Sequence, residues 1–151
     1  MAAPEQQGTI DWLFVQVCRL HYIRAHAVLE EIGLYRGQPP VLFHLQNQDG
    51  LSHSELGQRL QVSPATVTKM IQRMEKAGFV QRQPDADDQR VSRVYLTEAG
   101  RAIHVEVIKR YQLIESEAFA GFSSEDETTM RRLLSQMREN LRKVVDESPS
   151  A

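Results

Sequence analysis

Near each end of the chain, hydrophobic residues recur at steps of three and four, the spacing of an α-helix with one apolar face. We predict a first helix over residues 8–32, ended by Gly33, because glycine readily adopts the left-handed conformation of a helix end. We predict a last helix over residues 125–145, where the apolar positions approach a heptad repeat. The apolar residues of this last helix are Met130, Leu133, Leu134, Met137, Leu141, Val144 and Val145.

Between these helices, shorter elements begin with strong helix-start signals. A helix over residues 39–48 has Pro40 in its first turn, where proline is tolerated. The segment Ser52–Glu55 reads Ser-His-Ser-Glu, a capping box that opens a second short helix. After a tight turn, Ser63 and Pro64 form an N-cap followed by a proline at the first helical position. The apolar residues that then follow at helical spacing are Val67, Met70, Ile71 and Met74.

Two segments with alternating polar and apolar residues come next. We predict residues 79–83 and 91–96 as the strands of a hairpin, joined by a charged loop over residues 84–90. Thr97 can cap a third long helix over residues 98–120. A helix, a turn, a second helix and a hairpin in this order outline a winged helix-turn-helix, which places one helix in the major groove of DNA.

These elements predict a mainly α fold, a winged helix-turn-helix with a two-stranded wing, flanked by long N- and C-terminal helices. We assign residues 39–101 to a DNA-binding module, and residues 1–38 and 102–151 to dimerisation helices, within one compact domain overall. The two terminal helices have more apolar surface than so small a module can bury. We therefore expect a homodimer, in which a second copy covers the remainder.

Composition narrows the class of protein. The chain has 151 residues, 41% hydrophobic and 25% charged, which is typical of a globular domain rather than of a disordered or membrane protein. The N-terminal segment lacks the features of a signal peptide, and no apolar run is long enough to cross a bilayer. The single cysteine fits a reducing compartment. We expect a cytoplasmic protein with no membrane partner.

The net charge of −2 does not by itself indicate a nucleic-acid partner, but the charge is unevenly distributed. Residues 52–101 carry eight Lys or Arg against six Asp or Glu, whereas the rest of the chain carries ten against fourteen. Because binding to phosphates needs only a local basic face, a mildly acidic chain can still bind DNA.

The second helix of the helix-turn-helix is the candidate for reading DNA. With its apolar stripe turned inward, small, hydroxyl, amide and basic side chains face outward. Thr, Gln and Arg can hydrogen-bond to base edges, whereas Lys69 and Lys76 can reach phosphates. The alternative, an ordinary solvated face, is disfavoured by the capped helix before it and the hairpin after it. The predicted contacts of this helix are Ser63, Ala65, Thr66, Thr68, Lys69, Gln72, Arg73 and Lys76.

The hairpin adds a second candidate contact. Arg90 lies at its tip, where an arginine can enter the narrow minor groove, and Asp88 is predicted to brace its guanidinium through a bidentate pair. Arg93 is a further predicted contact. The alternative is an exposed Asp–Arg pair that only stabilises the loop. Because Asp85, Asp87 and Asp88 would repel DNA if this acidic loop led the approach, the arginine should lead instead.

Together these motifs resemble the MarR family of bacterial transcription regulators. In that family the wing ends in Asp-x-Arg, followed by a strand that ends Leu-Thr-x-x-Gly, and the matching segments here are Asp88–Arg90 and Leu96–Gly100. The resemblance extends upstream through Gly33–Leu42 and Glu55–Leu60 and covers most of the chain. It implies an obligate homodimer with intertwined terminal helices. It also implies a repressor that binds a pseudo-palindromic operator in double-stranded DNA and is released by a small phenolic or aromatic ligand.

The resemblance further implies an effector pocket where the terminal helices meet the DNA-binding module. Polar and aromatic residues on the first two helices are candidates to line it, and an arginine beside aromatic rings could hold a carboxylate. Each can equally be an interface residue whose contacts are satisfied. The candidates are Trp12, His21, Tyr22, Arg24, His26 and His44.

Other chemistries have weaker support. Cys18 would make the chain a redox-sensing regulator, but its apolar neighbours and mid-helix position favour a buried, inert thiol. The histidines show no spacing typical of metal ligands, so we expect no metal and no cofactor. No enzyme motif is found, so we expect no enzyme. A winged dimer that acts mainly through protein contacts is the last alternative. Acidic residues at 66–73 or loss of Arg90 would favour it, and neither is present.

Overall fold

The computed structural model describes residues 8–35 and 37–147, without the side chains of residues 146 and 147. The described residues form six helices and three strands. In chain order these are α1 Ile10–Glu30, α2 Gln38–Asn47, β1 Leu51–Ser52, α3 His53–Leu60, α4 Pro64–Lys76, β2 Val80–Pro84, β3 Ser92–Leu96, α5 Glu98–Ala118 and α6 Ser124–Glu147. None of the described helices is both long and apolar enough to cross a membrane.

The chain divides into two compact units at Ile114, inside α5. The first unit contains the elements from α1 to most of α5. The second contains the end of α5 and α6. Within the second unit, the Asp126 carboxylate accepts the Ser123 N–H at 2.9 Å, and the Ser123 hydroxyl accepts the Asp126 N–H at 3.1 Å. This reciprocal pair satisfies backbone amides where α6 begins.

The predicted helix starts of the central module are confirmed by their caps. The Ser52 hydroxyl accepts the Glu55 N–H at 3.2 Å, and the Glu55 carboxylate accepts the Ser52 N–H at 2.8 Å, which completes the capping box of α3. The Ser63 hydroxyl accepts the Thr66 N–H at 3.2 Å at the start of α4. Gln61 has a left-handed backbone with φ of +54°, so the chain reverses tightly between α3 and α4.

The sheet has one strand more than the predicted two-stranded wing. Its antiparallel order is β1–β3–β2, with Leu51 opposite Val94 and Val80 opposite Leu96. The strand β1 was missed because it is two residues long and runs directly into α3, so it has no alternating pattern of its own. Because β1 pairs with β3, it joins the wing to the start of the helix-turn-helix.

A main apolar core and a smaller cluster of Ala25, Val28 and Ile114 hold the first unit together. The main core is formed by α2, α3, α4, the sheet, the end of α1 and Val107 of α5. On α4 the predicted stripe is largely confirmed, since Val67, Ile71 and Met74 are fully buried and Met70 is partly buried. Burial of these side chains fixes which face of α4 points outward. The fully or nearly fully buried residues of the main core are Leu29, Leu34, Val41, Leu42, Leu45, Leu51, Leu56, Val67, Ile71, Met74, Val80, Val94, Leu96 and Val107.

Candidate nucleic-acid interface

The outward face of α4 is polar and accessible along its whole length. Its buried stripe faces the core, so the remaining side chains point to solvent. Thr68 is half-buried, and its hydroxyl donates to the Pro64 carbonyl at 3.0 Å. The outer face has no acidic side chain between Ser63 and Met74. It therefore combines hydrogen-bonding and basic groups on one side of a helix. The predicted contacts that are exposed are Ser63, Ala65, Thr66, Lys69, Gln72, Arg73 and Lys76.

Two hydroxyl groups at the start of α4 are engaged in capping the helix. The Ser63 and Thr66 hydroxyl oxygens lie 2.9 Å apart, and Ser63 also accepts the Thr66 N–H. A cap of this kind stabilises a helix by about 1 kcal/mol. Ser63 therefore has a structural role in addition to the predicted contact with DNA.

Arg73 has a neighbour that the sequence did not indicate. Its guanidinium lies 6.0 Å from the centre of the Tyr35 ring, which belongs to the connection between α1 and α2. The Gln38 side chain accepts the Tyr35 N–H at 2.8 Å and so fixes this connection. The contact is a cation–π interaction at the upper end of the usual range. No local pattern could have shown it, because Tyr35 and Arg73 belong to separate elements.

The loop at the wing tip is ordered by its own carboxylates. The Asp85 carboxylate accepts the N–H groups of Asp87 and Asp88 at 2.9 and 3.0 Å. The Asp88 carboxylate accepts the Arg90 N–H at 3.0 Å. Across the loop, the Asp85 N–H donates to the Val91 carbonyl at 2.9 Å. These bonds hold the backbone of Arg90 in a defined position, with its side chain exposed.

The predicted Asp88–Arg90 brace is wrong in its geometry. Asp88 accepts the backbone N–H of Arg90, and no ion pair to the Arg90 guanidinium is found in the described part of the chain. A short side chain two residues away reaches a backbone amide more easily than the end of a long arginine. The guanidinium is left to face solvent at the loop tip.

The contact of Arg93 with DNA stays a prediction, but its side chain already has partners within the protein. It is held by three acceptors of the protein itself, one of which, Asp85, belongs to the loop at the wing tip. Its guanidinium donates to a carboxylate oxygen of Asp85 and, at 2.9 Å, to the Gly50 carbonyl, and it lies 3.5 Å from the Glu55 carboxylate. The bond from Arg93, together with the two loop amides, lowers the pKa of Asp85 to about 2.

A second ion pair joins the wing to α4. The Arg82 guanidinium lies 2.7 Å from the Glu75 carboxylate, and this hydrogen bond lowers the pKa of Glu75. Beside this pair lies an open cleft of about 300 Å³ with Glu75, Arg82 and Arg90 on its walls. His53 is close enough for both charges of the pair to act on it, although burial is the main cause of its lowered pKa.

Comparison with known proteins is decisive at this point. Residues 34–92 match the sequence profile of the MarR family. A transcriptional regulator of the helix-turn-helix type from Bacillus subtilis (strain 168), YwoH, is 33% identical over 118 residues, which span 78% of this chain and 85% of that protein. The chain belongs to the MarR family. It is therefore a DNA-binding transcription regulator and not an enzyme.

Solved structures agree with this assignment. A MarR transcriptional regulator from Methanosarcina mazei Go1 superposes with a TM-score of 0.76 at 28% identity, over 89% of this chain and 97% of that one. A crystal structure of MarR superposes with a TM-score of 0.78 over 97% of this chain and 100% of that one, and at 20% identity this match concerns the fold alone. The winged helix-turn-helix architecture is thus that of the MarR family along nearly the whole chain.

The candidate effector residues of this MarR-family chain lie on two helices. Five are on α1 and His44 is on α2. Trp12, Arg24 and His44 are half-buried, whereas His21, Tyr22 and His26 are exposed. None of the six lines the cleft beside the wing.

His104 of α5 was not among the predicted residues, and only the packing makes it noticeable. It is buried against the Phe43 ring, whose centre is 5.0 Å away, and its Nε2 has no hydrogen-bond partner within the described residues. A single histidine in a helical pattern gives no signal of such burial.

The prediction of a buried thiol at Cys18 is wrong for the chain by itself. Cys18 is exposed on α1, as are Val17 at 53% and Leu20 at 65% of their maximal surface. Apolar neighbours in the sequence bury a side chain only where another element packs on that side of the helix, and no described part of the chain does so here. Among the described residues, no group of three or more His, Cys, Asp or Glu could hold a metal ion.

Proposed function

We propose that this MarR-family regulator is a homodimeric repressor that binds a pseudo-palindromic operator and is released by a small phenolic or aromatic acid. Residues 39–101 would read DNA, and residues 1–38 and 102–151 would form the dimer. The outward face of α4 would enter the major groove, while Arg90 would enter the adjacent minor groove. Because its target is chromosomal DNA, we expect the protein in the cytoplasm.

The observation that carries this proposal is the accessible face of α4 beside an exposed Arg90. Lys69, Gln72 and Arg73 are exposed on one side of a helix whose other side is anchored in the core. A helix held in this way offers base-reading groups without first having to be ordered, which lowers the entropic cost of binding. The basic residues add the electrostatic attraction to phosphates that supplies much of the affinity for DNA.

Support for a dimer comes from apolar side chains that the chain leaves exposed. On α6, Leu133 and Leu141 are exposed by 48% and 56% of their maximal surface, and on α1, Ile10 and Leu13 by 85% and 59%. Burial of apolar area contributes about 25 cal/mol per Å², so covering two such helices would favour association strongly. A second copy of the chain would cover the same surfaces on both partners.

Support for a ligand is chemical. Arg24 on α1 and His44 on α2 are both half-buried, so a cationic group and an aromatic ring are partly shielded from water in the first unit. Such groups suit an aromatic carboxylate. A ligand would act as an inducer only if it binds the DNA-incompetent conformation more tightly than the DNA-bound one.

Selection of genomic fragments with the purified protein, followed by anisotropy titration of the selected duplex, tests the proposal. We expect two related half-sites and a steep fall of affinity with salt. Arg90→Ala should weaken binding about ten- to hundredfold, since it removes a charged contact in the minor groove, while the protein stays folded. Arg132→Ala, an exposed arginine of α6, is the matched control and should bind like the parent chain.

Two other outcomes of this experiment would change the conclusion. Unchanged affinity of Arg90→Ala would remove the proposed minor-groove contact. Failure of every fragment to outcompete random DNA, with a shallow salt dependence, would instead favour a winged dimer that acts through protein contacts.

A redox-sensing regulator is the second candidate, and it rests on Cys18, which is exposed in the single chain. The chain contains one cysteine, so an oxidised thiol would have to form a disulfide with another molecule or remain a sulfenic acid. Peroxide titration of the protein–DNA complex distinguishes the two regulators. Release by peroxide that is lost in Cys18→Ser would establish redox sensing, whereas equal DNA binding before and after peroxide would exclude it.

A further inference from the structure

The wing tip is connected to the helix-turn-helix by a continuous series of polar contacts that begins at Asp85. One oxygen of the Asp85 carboxylate accepts the two amides that shape the loop, and the other accepts the Arg93 Nε–H. Only 12% of the Asp85 side chain is exposed. Although it belongs to a charged loop, this carboxylate faces the protein and not the surface that would meet DNA.

Arg93 continues the series toward α3. Its Nη1 donates to the Gly50 carbonyl at 2.9 Å and lies 3.5 Å from Glu55 Oε2. The same oxygen of Glu55 accepts the Ser52 N–H at 2.8 Å in the capping box of α3. Gly50 is fixed in turn, since its N–H donates to the Val94 carbonyl at 3.0 Å. Hydrogen bonds join Asp85, Arg93 and Gly50, and an ion pair joins Arg93 to Glu55 in the capping box of α3.

We propose that Asp85 and Arg93 are positioning residues for DNA binding, a clamp that fixes the wing tip, and with it Arg90, relative to the helix-turn-helix. This inference rests on the proposed role of Arg90 in the minor groove. Neither member of the Asp85–Arg93 clamp contacts DNA. The clamp removes conformational freedom from the loop before binding, so that less is lost when Arg90 enters the groove.

The geometry distinguishes a clamp from a direct contact of Arg93 with phosphate. An arginine that neutralises a phosphate must direct its donors outward, whereas Arg93 directs Nε and Nη1 at Asp85 and Gly50. To reach DNA, Arg93 would have to break its ion pairs with Asp85 and Glu55. The two unpaired carboxylates would then repel the nearby phosphates. The planar guanidinium of arginine can donate to several fixed acceptors at once, as Arg93 does in the clamp.

A double-mutant cycle on the selected operator duplex tests the clamp. Asp85→Ala and Arg93→Gln should each weaken binding about tenfold in the parent chain, as expected for a lost positioning contact. In the Arg90→Ala background, the same two changes should alter affinity by less than about twofold, because the residue that they position is gone. Asp87→Ala is the matched control in the same loop, since its exposed carboxylate belongs to neither interaction.

Salt dependence gives a readout that a change of stability would not move. Because Arg93 releases no counterion from DNA in this proposal, Arg93→Gln should leave the slope of log Kd against log salt unchanged. A direct phosphate contact would reduce that slope by about one unit. Asp85→Asn separates the two functions of the carboxylate, because the amide oxygen still accepts the loop amides but the pairing with Arg93 is lost. Its affinity should lie between those of the parent and Asp85→Ala.

Each outcome of these measurements either supports or overturns the clamp. Full effects of Asp85→Ala and Arg93→Gln in the Arg90→Ala background, or a reduced salt slope for Arg93→Gln, would overturn the clamp and leave the role of Arg90 intact. No effect of Arg90→Ala itself would overturn the proposed function, and the clamp with it. Circular dichroism melts check folding. If Asp85→Ala, Asp85→Asn and Arg93→Gln all unfold, the clamp is an element of stability and the proposal is overturned.

Discussion

Gly100 lies in the first turn of α5, against the backbone of the residue that precedes β2. A Cβ atom at this position would lie 1.9 Å from the Phe79 carbonyl oxygen, far inside van der Waals contact. The same carbonyl accepts the Thr97 N–H at 3.1 Å, and the Thr97 hydroxyl accepts the Gly100 N–H at 3.0 Å. The close approach of α5 to the wing therefore explains, on steric grounds, why the last position of the Leu-Thr-x-x-Gly motif is glycine.

Gly100→Ala should destabilise the protein by about 1–3 kcal/mol or more, because the backbone must shift to accept the methyl group. Urea unfolding followed by circular dichroism measures this change. Ala99→Ser, an exposed neighbour in the same turn, is the control and should stay within about 0.5 kcal/mol of the parent. Equal stability of Gly100→Ala would show that this junction is looser than the structure indicates.

A second prediction at the scale of the residue is that His53 makes the stability of the protein depend on pH. Burial lowers its pKa from the ordinary value of 6.5, Arg82 lowers it further, and Glu75 opposes the shift. Because the folded-state pKa is depressed, the unfolded chain binds the proton more readily. The stability that the neutral imidazole contributes is present above pH 6.5 and is lost as the pH falls through the folded pKa.

Replacing His53 with Gln should therefore reduce the loss of stability between pH 7.5 and pH 5. Urea unfolding at a series of pH values, compared with the exposed His26→Gln as control, measures the difference. A parent and a His53→Gln variant with the same pH dependence would contradict this assignment.

At the scale of the element, we predict that some exposed residues of α4 read bases and that others bind phosphates. Gln72→Ala should cost about 1–3 kcal/mol on the preferred operator and relax the preference at one base pair, because an amide that reads a base edge is lost. Lys69→Ala should instead weaken binding by a similar factor on all duplexes and reduce the salt slope by about one unit. Anisotropy with the operator and with duplexes substituted at single positions measures both. A uniform loss for Gln72→Ala would reassign it to the backbone.

At the scale of the whole molecule, the exposed apolar side chains of α6 imply dependence on a second copy. Leu133→Asp should shift the protein to monomer and abolish tight operator binding, since burying an unpaired carboxylate in an apolar interface is costly. Sedimentation velocity over a range of protein concentrations measures the oligomeric state. Gln136→Asp introduces the same charge at an exposed polar position of α6 and should leave the dimer intact. A Leu133→Asp monomer that binds DNA as tightly as the parent would contradict the dimeric architecture.

The sequence alone determined those features that depend on residues close together in the chain. The caps at Ser52 and Ser63 connect residues three apart, and the buried stripe of α4 follows from helical spacing, so both were predictable. The order of the six helices and of the strands β2 and β3 followed from the same local signals, whereas β1 did not. The wing motif around Arg90 was recognisable for the same reason, and with the helix-turn-helix it indicated the MarR family, which the comparisons then established.

Only the tertiary structure decided which side chains already have partners within the protein. The sequence predicted Arg93 as a further contact with DNA but gave no sign of its carbonyl acceptor, Gly50, which is 43 residues away. The strand β1 exists because β3 lies beside it, Tyr35 meets Arg73 across separate elements, and Cys18 is exposed because no described part of the chain covers it. A side chain's own neighbours in the sequence set its conformational preferences. Its partners depend on where the folded backbone brings distant acceptors and apolar surfaces, and that information is not contained in any short segment.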